Sequence, residues 1–317
     1  MKIIGTGRAH PAKVVTNAMF EQMLDTSDEW IRSRTGMTER KVISSERLED
    51  LAAEASRKAI ADAGLHVQDI DYIICSNVVN EYVTPALSCL VQGVIGAKCA
   101  CVDINAACSG FLYALDMADD RLRSGKAKNI LVVAAEEPTR MVDWSDRATC
   151  VLFGDGAGSV VVTRADNLYT SHLTTQSKSD CLHYVRKLEP TPFIEKDEVS
   201  APMYMNGKEV FKLAVLSASK DIELLLSRVG LYADQIKYYV LHQANMRIIE
   251  AVAARMNLDI SYFPHNVDYC GNTSSASVPM LLDELARDGK LQRGDKILMS
   301  AFGAGFTTGA CIIEWTK

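Results

Sequence analysis

Apolar and polar positions alternate along this chain with two different periods. Leu48, Leu51, Ala52, Ala55, Ala59 and Ile60 recur at helical spacing, as do Val210, Leu213, Ala214, Ser217 and Ala218. They predict two long amphipathic helices. Between them lie short runs that are almost wholly apolar. Cys99–Asn105, Ile130–Ala134, Val160–Val162, Tyr238–Leu241 and Ile297–Ala301 predict buried strands, and Met1–Gly7 enters another directly. A further helix is predicted from Phe111 to about Arg123. Such alternation implies an α/β fold of mostly parallel sheets covered by helices.

The pattern occurs twice. Gly64–Cys75 aligns without gaps on Gly230–Leu241 at an offset of 166 residues, with Gly, Leu, Ile and Tyr in common. Arg123-Ser-Gly-Lys126 and Arg287-Asp-Gly-Lys290 each end a helix before a strand, and the strands 130–134 and 297–301 match as well. Three echoes in one order argue for two copies of one α/β unit, residues 1–165 and 166–317. They meet in a polar stretch between about Ala165 and Tyr204, containing Pro190, Pro192 and Pro202, where a loop or short helices are expected. Two such halves packed into one body place a site between them, at strand ends.

Composition narrows the class. The 317 residues are 48% hydrophobic and 23% charged, ample for a large core. No stretch approaches the roughly 18 apolar residues of a membrane span, and no secretory leader pattern opens the chain. Nine cysteines, several in apolar strand runs and none in a CxxC pair, point to free thiols in a reducing cytoplasm rather than to metal or dithiol chemistry. A net charge of −6 argues against general nucleic-acid binding.

Three polar groups stand where strands end. Cys108 follows the run 99–105 and precedes a helix, whose N-terminal dipole favours thiolate. His242 ends the run 238–241, and Asn272 precedes another helix within Gly271-Asn-Thr-Ser-Ser-Ala-Ser277. Each has a plainer reading: a buried thiol, a core histidine, a turn or cap residue. Together they suggest a nucleophile with two hydrogen-bonding neighbours. Gly154-Asp-Gly-Ala-Gly158 looks like a phosphate loop, but a strand follows it, so close backbone packing is the better reading.

Asp103-Ile-Asn-Ala-Ala-Cys-Ser-Gly-Phe111, His242-Gln-Ala-Asn245, Gly271–Ser277 and Phe302-Gly-Ala-Gly-Phe306 together resemble the β-ketoacyl-acyl-carrier-protein synthase III family of the thiolase superfamily. Glu29–Gly36 and Phe153–Gly158 resemble it too, so the likeness spans essentially the whole chain. The resemblance implies a thiolase-like body of layers α-β-α-β-α and an initiating role in type II fatty acid synthesis. Acyl-CoA would acylate Cys108, and malonyl-acyl-carrier protein would then lose carbon dioxide and attack the acyl-enzyme. His242 and Asn272 would donate to the thioester oxygen that becomes negative. The backbone amides of Cys108 and Ala304 would hold the second oxyanion. Relatives usually carry Gly where Ala304 stands, and the methyl is tolerated if φ stays negative.

The resemblance also implies further roles. Trp30 and Arg147 match a pair that sandwiches adenine, Arg34 a residue near the nucleotide phosphates, and Asn245 one lining the pantetheine tunnel. Phe302 and Thr84 fall at the acyl pocket, Thr84 by reaching across a homodimer. Several relatives place Phe at that position, so Thr implies room for primers larger than acetyl. Lys212, Arg247 and Arg255 resemble a patch for the acidic carrier protein, although a solvated helix face fits them equally. No cofactor or metal is implied beyond the CoA thioester as substrate. His265 receives no role. An alternative within the superfamily is a secondary-metabolite acyltransferase or condensing enzyme. A papain-type hydrolase uses the same residue types, but the duplication speaks against that fold. A non-catalytic subunit of the same fold would have no need of all three residues.

Overall fold

The computed structural model describes residues 1–186, 193 and 203–317. Pro190, Pro192 and Pro202 of the polar stretch lie outside the described residues. Two sheets form the body. The first contains β1 (Lys2–Ala9), β2 (Tyr72–Ser76), β3 (Ala100–Ile104), β4 (Asn129–Glu136) and β5 (Gly156–Thr163), in the order β1-β5-β4-β2-β3. The second contains β6 (Tyr169–Thr175), β7 (Tyr238–Leu241), β8 (Lys296–Gly303) and β9 (Thr307–Glu314), in the order β7-β8-β9-β6.

The sheets are mixed, not mostly parallel. β2 runs parallel to β3 and β4, and β7 to β8, but β1–β5, β4–β5, β8–β9 and β6–β9 are antiparallel. Connection length explains this for β8 and β9. Only Ala304, Gly305 and Phe306 join them, and a parallel neighbour needs a crossover of about a dozen residues or more.

Helices complete five layers. The helices α1 (Asp28–Thr35), α2 (Leu48–Asp62), α3 (Leu87–Ile95), α4 (Gly110–Arg123), α5 (Gly207–Val229), α6 (Met246–Arg255) and α7 (Ser277–Arg287) follow one another along the chain. α2 and α3 cover the outer face of the first sheet, burying Leu51, Ala55 and Ile60 against Ile73, Leu131 and Val161. α4 and α7 lie between the sheets with Phe111, Leu115, Leu281 and Leu285 in a shared core. α5 and α6 cover the second sheet. Among the described residues, no helix is long and apolar enough to cross a membrane.

Local chemistry shapes both long helices alike. Gly64 (φ 69°) and Gly230 (φ 68°) end them in a left-handed conformation that costs other residues energy. Each is followed by a 3-10 turn, Val67–Asp69 or Ala233–Gln235, and then by β2 or β7. One element breaks the likeness. β3 has no strand counterpart in the second sheet, where the short helix Val267–Cys270 occupies the matching stretch.

Candidate active site

Cys108 sits where β3 turns into α4. Ala107 just before it has φ 49°, a strained value for a residue with a Cβ. The turn is clamped from the other half of the chain. Thr307 Oγ1 donates to the Ala106 carbonyl at 3.0 Å and accepts from Ser109 Oγ at 2.8 Å. Gly303, at the end of β8, packs directly on it: a Cβ there would lie 2.5 Å from the Cys108 nitrogen. Burial pushes the Cys108 thiol up to about 12, the Ser274 hydroxyl opposing and the Glu136 carboxylate adding to the rise. Burial thus opposes the thiolate that the helix terminus favours.

His242 follows β7 directly, and its amide donates to the Ser300 carbonyl of β8 at 2.7 Å. Burial holds its imidazole neutral, down to about 3. Ser277 Oγ lies 2.7 Å from Nδ1 and accepts the Gln243 amide at 3.3 Å. In the tautomer where that hydroxyl donates to Nδ1, the ring proton sits on Nε2. The ring of Phe302 meets it edge-on at 5.3 Å. Asn272 is gripped through its backbone: its amide donates to Leu152 at 2.8 Å, and its carbonyl accepts from Gly154 at 3.1 Å. Its side-chain oxygen accepts the Ser274 amide at 2.9 Å. The NH2 group is thus the face turned to a substrate.

Cys108, His242, Asn272, Phe302 and Ala304 all line one cavity of about 1670 Å3. Ala304 is not among the residues with positive φ, so its methyl is accommodated; Gly305 takes the positive value, φ 142°. Trp30, Arg34 and Asn245 line the same cavity. Asn245 also caps α6, accepting the Arg247 amide at 2.9 Å, and donates to the Arg34 carbonyl at 3.1 Å. Arg147 stands over the Trp30 ring at 5.2 Å and bonds the Asp25 carbonyl.

The remaining candidates are more dispersed. Arg247 lines the cavity, whereas Lys212 on α5 and Arg255 on α6 are exposed outside it. Thr84 is exposed and does not line this chain's cavity, although Tyr82, Val83 and Ala86 do. An acyl-pocket role for Thr84 therefore needs a second copy. His265, given no role, lies 3.3 Å from Asp268. The segment 154–158 is close packing: a Cβ on Gly154 would lie 2.1 Å from the Cys270 carbonyl, and β5 follows. Sequence reasoning missed Ser277, Ser274 and Glu136 around the three central residues. The only signal for Glu136 was an acid closing the apolar run of β4.

The comparisons with known proteins bear on this geometry. A family model described as 3-oxoacyl-[acyl-carrier-protein (ACP)] synthase III matches residues 102–180, and one for its C-terminal part matches residues 226–315. A β-ketoacyl-[acyl-carrier-protein] synthase III of Clostridium acetobutylicum is 42% identical over 322 residues, covering 100% of this chain and 99% of that one. The chain belongs to the β-ketoacyl-acyl-carrier-protein synthase III family. It is a condensing acyltransferase with the initiating role in fatty acid synthesis. The crystal structure of a synthase III from Aquifex aeolicus superimposes with a TM-score of 0.92 at 40% identity, covering 99% of both chains. A priming β-ketosynthase from the R1128 polyketide pathway superimposes with a TM-score of 0.91 at 33% identity, covering 100% of this chain and 96% of that one.

Proposed function

We propose that Cys108 is the nucleophile that takes an acyl group from acyl-CoA, and that malonyl-acyl-carrier protein is the acceptor. The observation that carries this reading is the cavity itself, which a cysteine, a histidine kept neutral by burial and an asparagine all line. A thioester on sulfur stays electrophilic toward carbon, which a serine ester does less well. Decarboxylation of the malonyl group then moves charge onto its thioester oxygen. Nε2–H of His242 and the amide of Asn272 meet that charge as donors, in a buried site where such bonds are strongest. The product is a β-ketoacyl-carrier protein, with carbon dioxide and CoA released.

The other roles follow the same path. CoA enters past Trp30, Arg34 and Asn245, with Arg147 moving off the Trp30 face to admit adenine. Arg247 at the mouth, with Lys212 and Arg255 on the adjoining helices, receives the acidic carrier protein. A homodimer would present Thr84 to the partner's acyl pocket. An exposed edge at β3, beside exposed Val83 and Val94, supports it. The chemistry asks for no cofactor or metal, and nine free cysteines suit a reducing cytoplasm. The likeness to a polyketide-priming enzyme favours one second reading, a starter step in secondary metabolism.

Intact-mass measurement with a panel of acyl-CoAs, followed by malonyl-acyl-carrier protein, tests both. We expect a gain of one acyl group that is absent in Cys108→Ser and is discharged to a β-ketoacyl product. Acylation without discharge would shift the assignment to another acceptor. Absence of acylation by every donor would sink it.

A further inference from the structure

Glu136 is the last residue of β4 and is 1% exposed. It forms no ion pair among the described residues. Its carboxylate is held by hydroxyls and an amide instead: Ser275 Oγ at 2.5 Å, Ser274 Oγ at 3.3 Å and the Val78 amide at 3.1 Å. Ser76 Oγ donates in turn to Ser275 Oγ at 2.8 Å. A buried carboxylate without a cation is costly to keep in a core. Its position explains what it could do. Ser274 Oγ, which touches one of its oxygens, is also 3.4 Å from Cys108 Sγ. One hydroxyl therefore joins the nucleophile to the acid, and Ser274 is held there with φ 51°, a left-handed value rare for serine.

The chemistry of the site needs such a group. Burial favours the thiol form of Cys108, whose proton must leave before sulfur can attack. His242 is a poor acceptor, since burial disfavours its charged form. The buried Glu136 carboxyl is pushed up to about 7, a base poised near neutrality. The titratable groups that face it are Cys75 on the neighbouring β2 and Cys108 itself.

We propose that Cys108 gives up its proton through Ser274 to Glu136 as the acyl donor arrives. The S–H bond breaks, the proton goes to Ser274 Oγ, and the serine's own proton forms an O–H bond on Glu136. The sulfur adds to the thioester carbonyl, and the bond from that carbon to the CoA sulfur breaks. The proton returns through the same hydroxyl to the departing CoA thiolate, leaving Glu136 ionised again. Ser274 touches the reacting sulfur and is a catalytic residue in this scheme, whereas Glu136 acts through it. The inference rests on Cys108 being the nucleophile.

The test is the rate of alkylation of the intact protein by iodoacetamide from pH 5.5 to 9.5, with the labelled cysteine identified by peptide mass. Acylation by acyl-CoA is followed over the same range. The native protein should show an inflection near pH 7. Ser274→Ala and Glu136→Gln should lose it, react 10-fold or more slowly at pH 7, and converge on the native rate at the alkaline end. Thermal unfolding checks that each variant folds, and Ser274→Ala decides the matter if the buried Glu136→Gln does not. An unchanged profile, or a uniform drop at every pH, would overturn the relay and leave both residues a structural role. An acyl group from acyl-CoA found on a cysteine other than Cys108 would overturn the nucleophile assignment itself, so the two failures are told apart.

Discussion

Two turns in this molecule have nearly the same shape and opposite fates. Ala107 (φ 49°) and Ser274 (φ 51°), 167 residues apart, each twist the chain just before a helix of the central layer. The residues that follow them are Cys108 and Ser275. At the same offset, Gly303 at the end of β8 matches Glu136 at the end of β4. Gly303 lies against the Cys108 amide, while Glu136 bonds Ser275 Oγ. The pairing extends to the neighbouring strand, where Ser76 ends β2 as His242 follows β7. One turn faces a residue without a side chain and sets its cysteine in the cavity; the other faces a carboxylate, which Ser274 and Ser275 cover. The comparison teaches that reactivity here comes from what is taken away opposite the turn, as much as from the turn.

The comparison can be broken on its open side first. Replacing His242 or Asn272 with Ala removes one donor to the developing oxyanion. Condensation should fall about 10²- to 10³-fold while the acyl-enzyme still forms, so that intact mass shows it accumulating after malonyl-carrier protein is added. Equal loss of both half-reactions would contradict the division of labour. Filling the open turn comes next. In Gly303→Ala the new methyl would meet the Cys108 nitrogen at 2.5 Å and the Ala107 methyl at 2.8 Å. Acylation should drop about 100-fold, and overpacking should cost roughly 1–3 kcal/mol in urea unfolding. Native rates in that variant would mean the close approach is unnecessary.

The closed side yields a smaller, pH-dependent effect. Burial raises Glu136 from 4.5 to about 7, so the folded state holds its proton more tightly than the unfolded chain. Its contribution is complete below about pH 4.5 and is lost as pH rises through about 7, a span of roughly 3 kcal/mol. Glu136→Gln should therefore gain stability relative to the native protein between those values, read from urea midpoints at pH 5, 6, 7 and 8. Asp155, also raised to about 7 by burial, keeps a slope of the same sign in both proteins. His242, lowered to about 3, adds an opposite slope on the acid side of 6.5 that the variant shares. A constant difference across the range would show that Glu136 does not titrate there.

Much of this architecture could be read from the chain because its signals are local. Leu51, Ala55 and Ile60 announce α2 by spacing alone, and the apolar runs 130–134, 160–162, 238–241 and 297–301 fall within β4, β5, β7 and β8. The Gly-Leu pairs at 64 and 230 mark matching helix ends. Strand direction was illegible for β9, since a three-residue connection and a crossover differ in length rather than in hydrophobic pattern. The central residues were visible only as a set of short motifs. Glu136 was not: its contact with Ser274 spans 138 residues, and that of Ser274 with Cys108 spans 166. Nothing in the residues around an acid reveals which distant hydroxyl will cover it. Thr84 is a related case, because its surroundings within one chain are solvent.

The central layer has a consequence for how the molecule comes apart. α7 belongs to the second repeat by sequence, yet Asp283 on it accepts from Thr6 Oγ at 2.8 Å and from Arg8 at 2.9 Å on β1. Arg287 returns a bond to the Thr6 carbonyl at 2.9 Å. α4 of the first repeat shares its apolar face with β8 and β9. Each repeat thus finishes the interior of the other, and a chain cut between them would leave both fragments with a bare apolar face. Denaturation should then be one cooperative event, with no species in which a single repeat survives. Two halves joined in this way should not be free to drift, swap or fold alone.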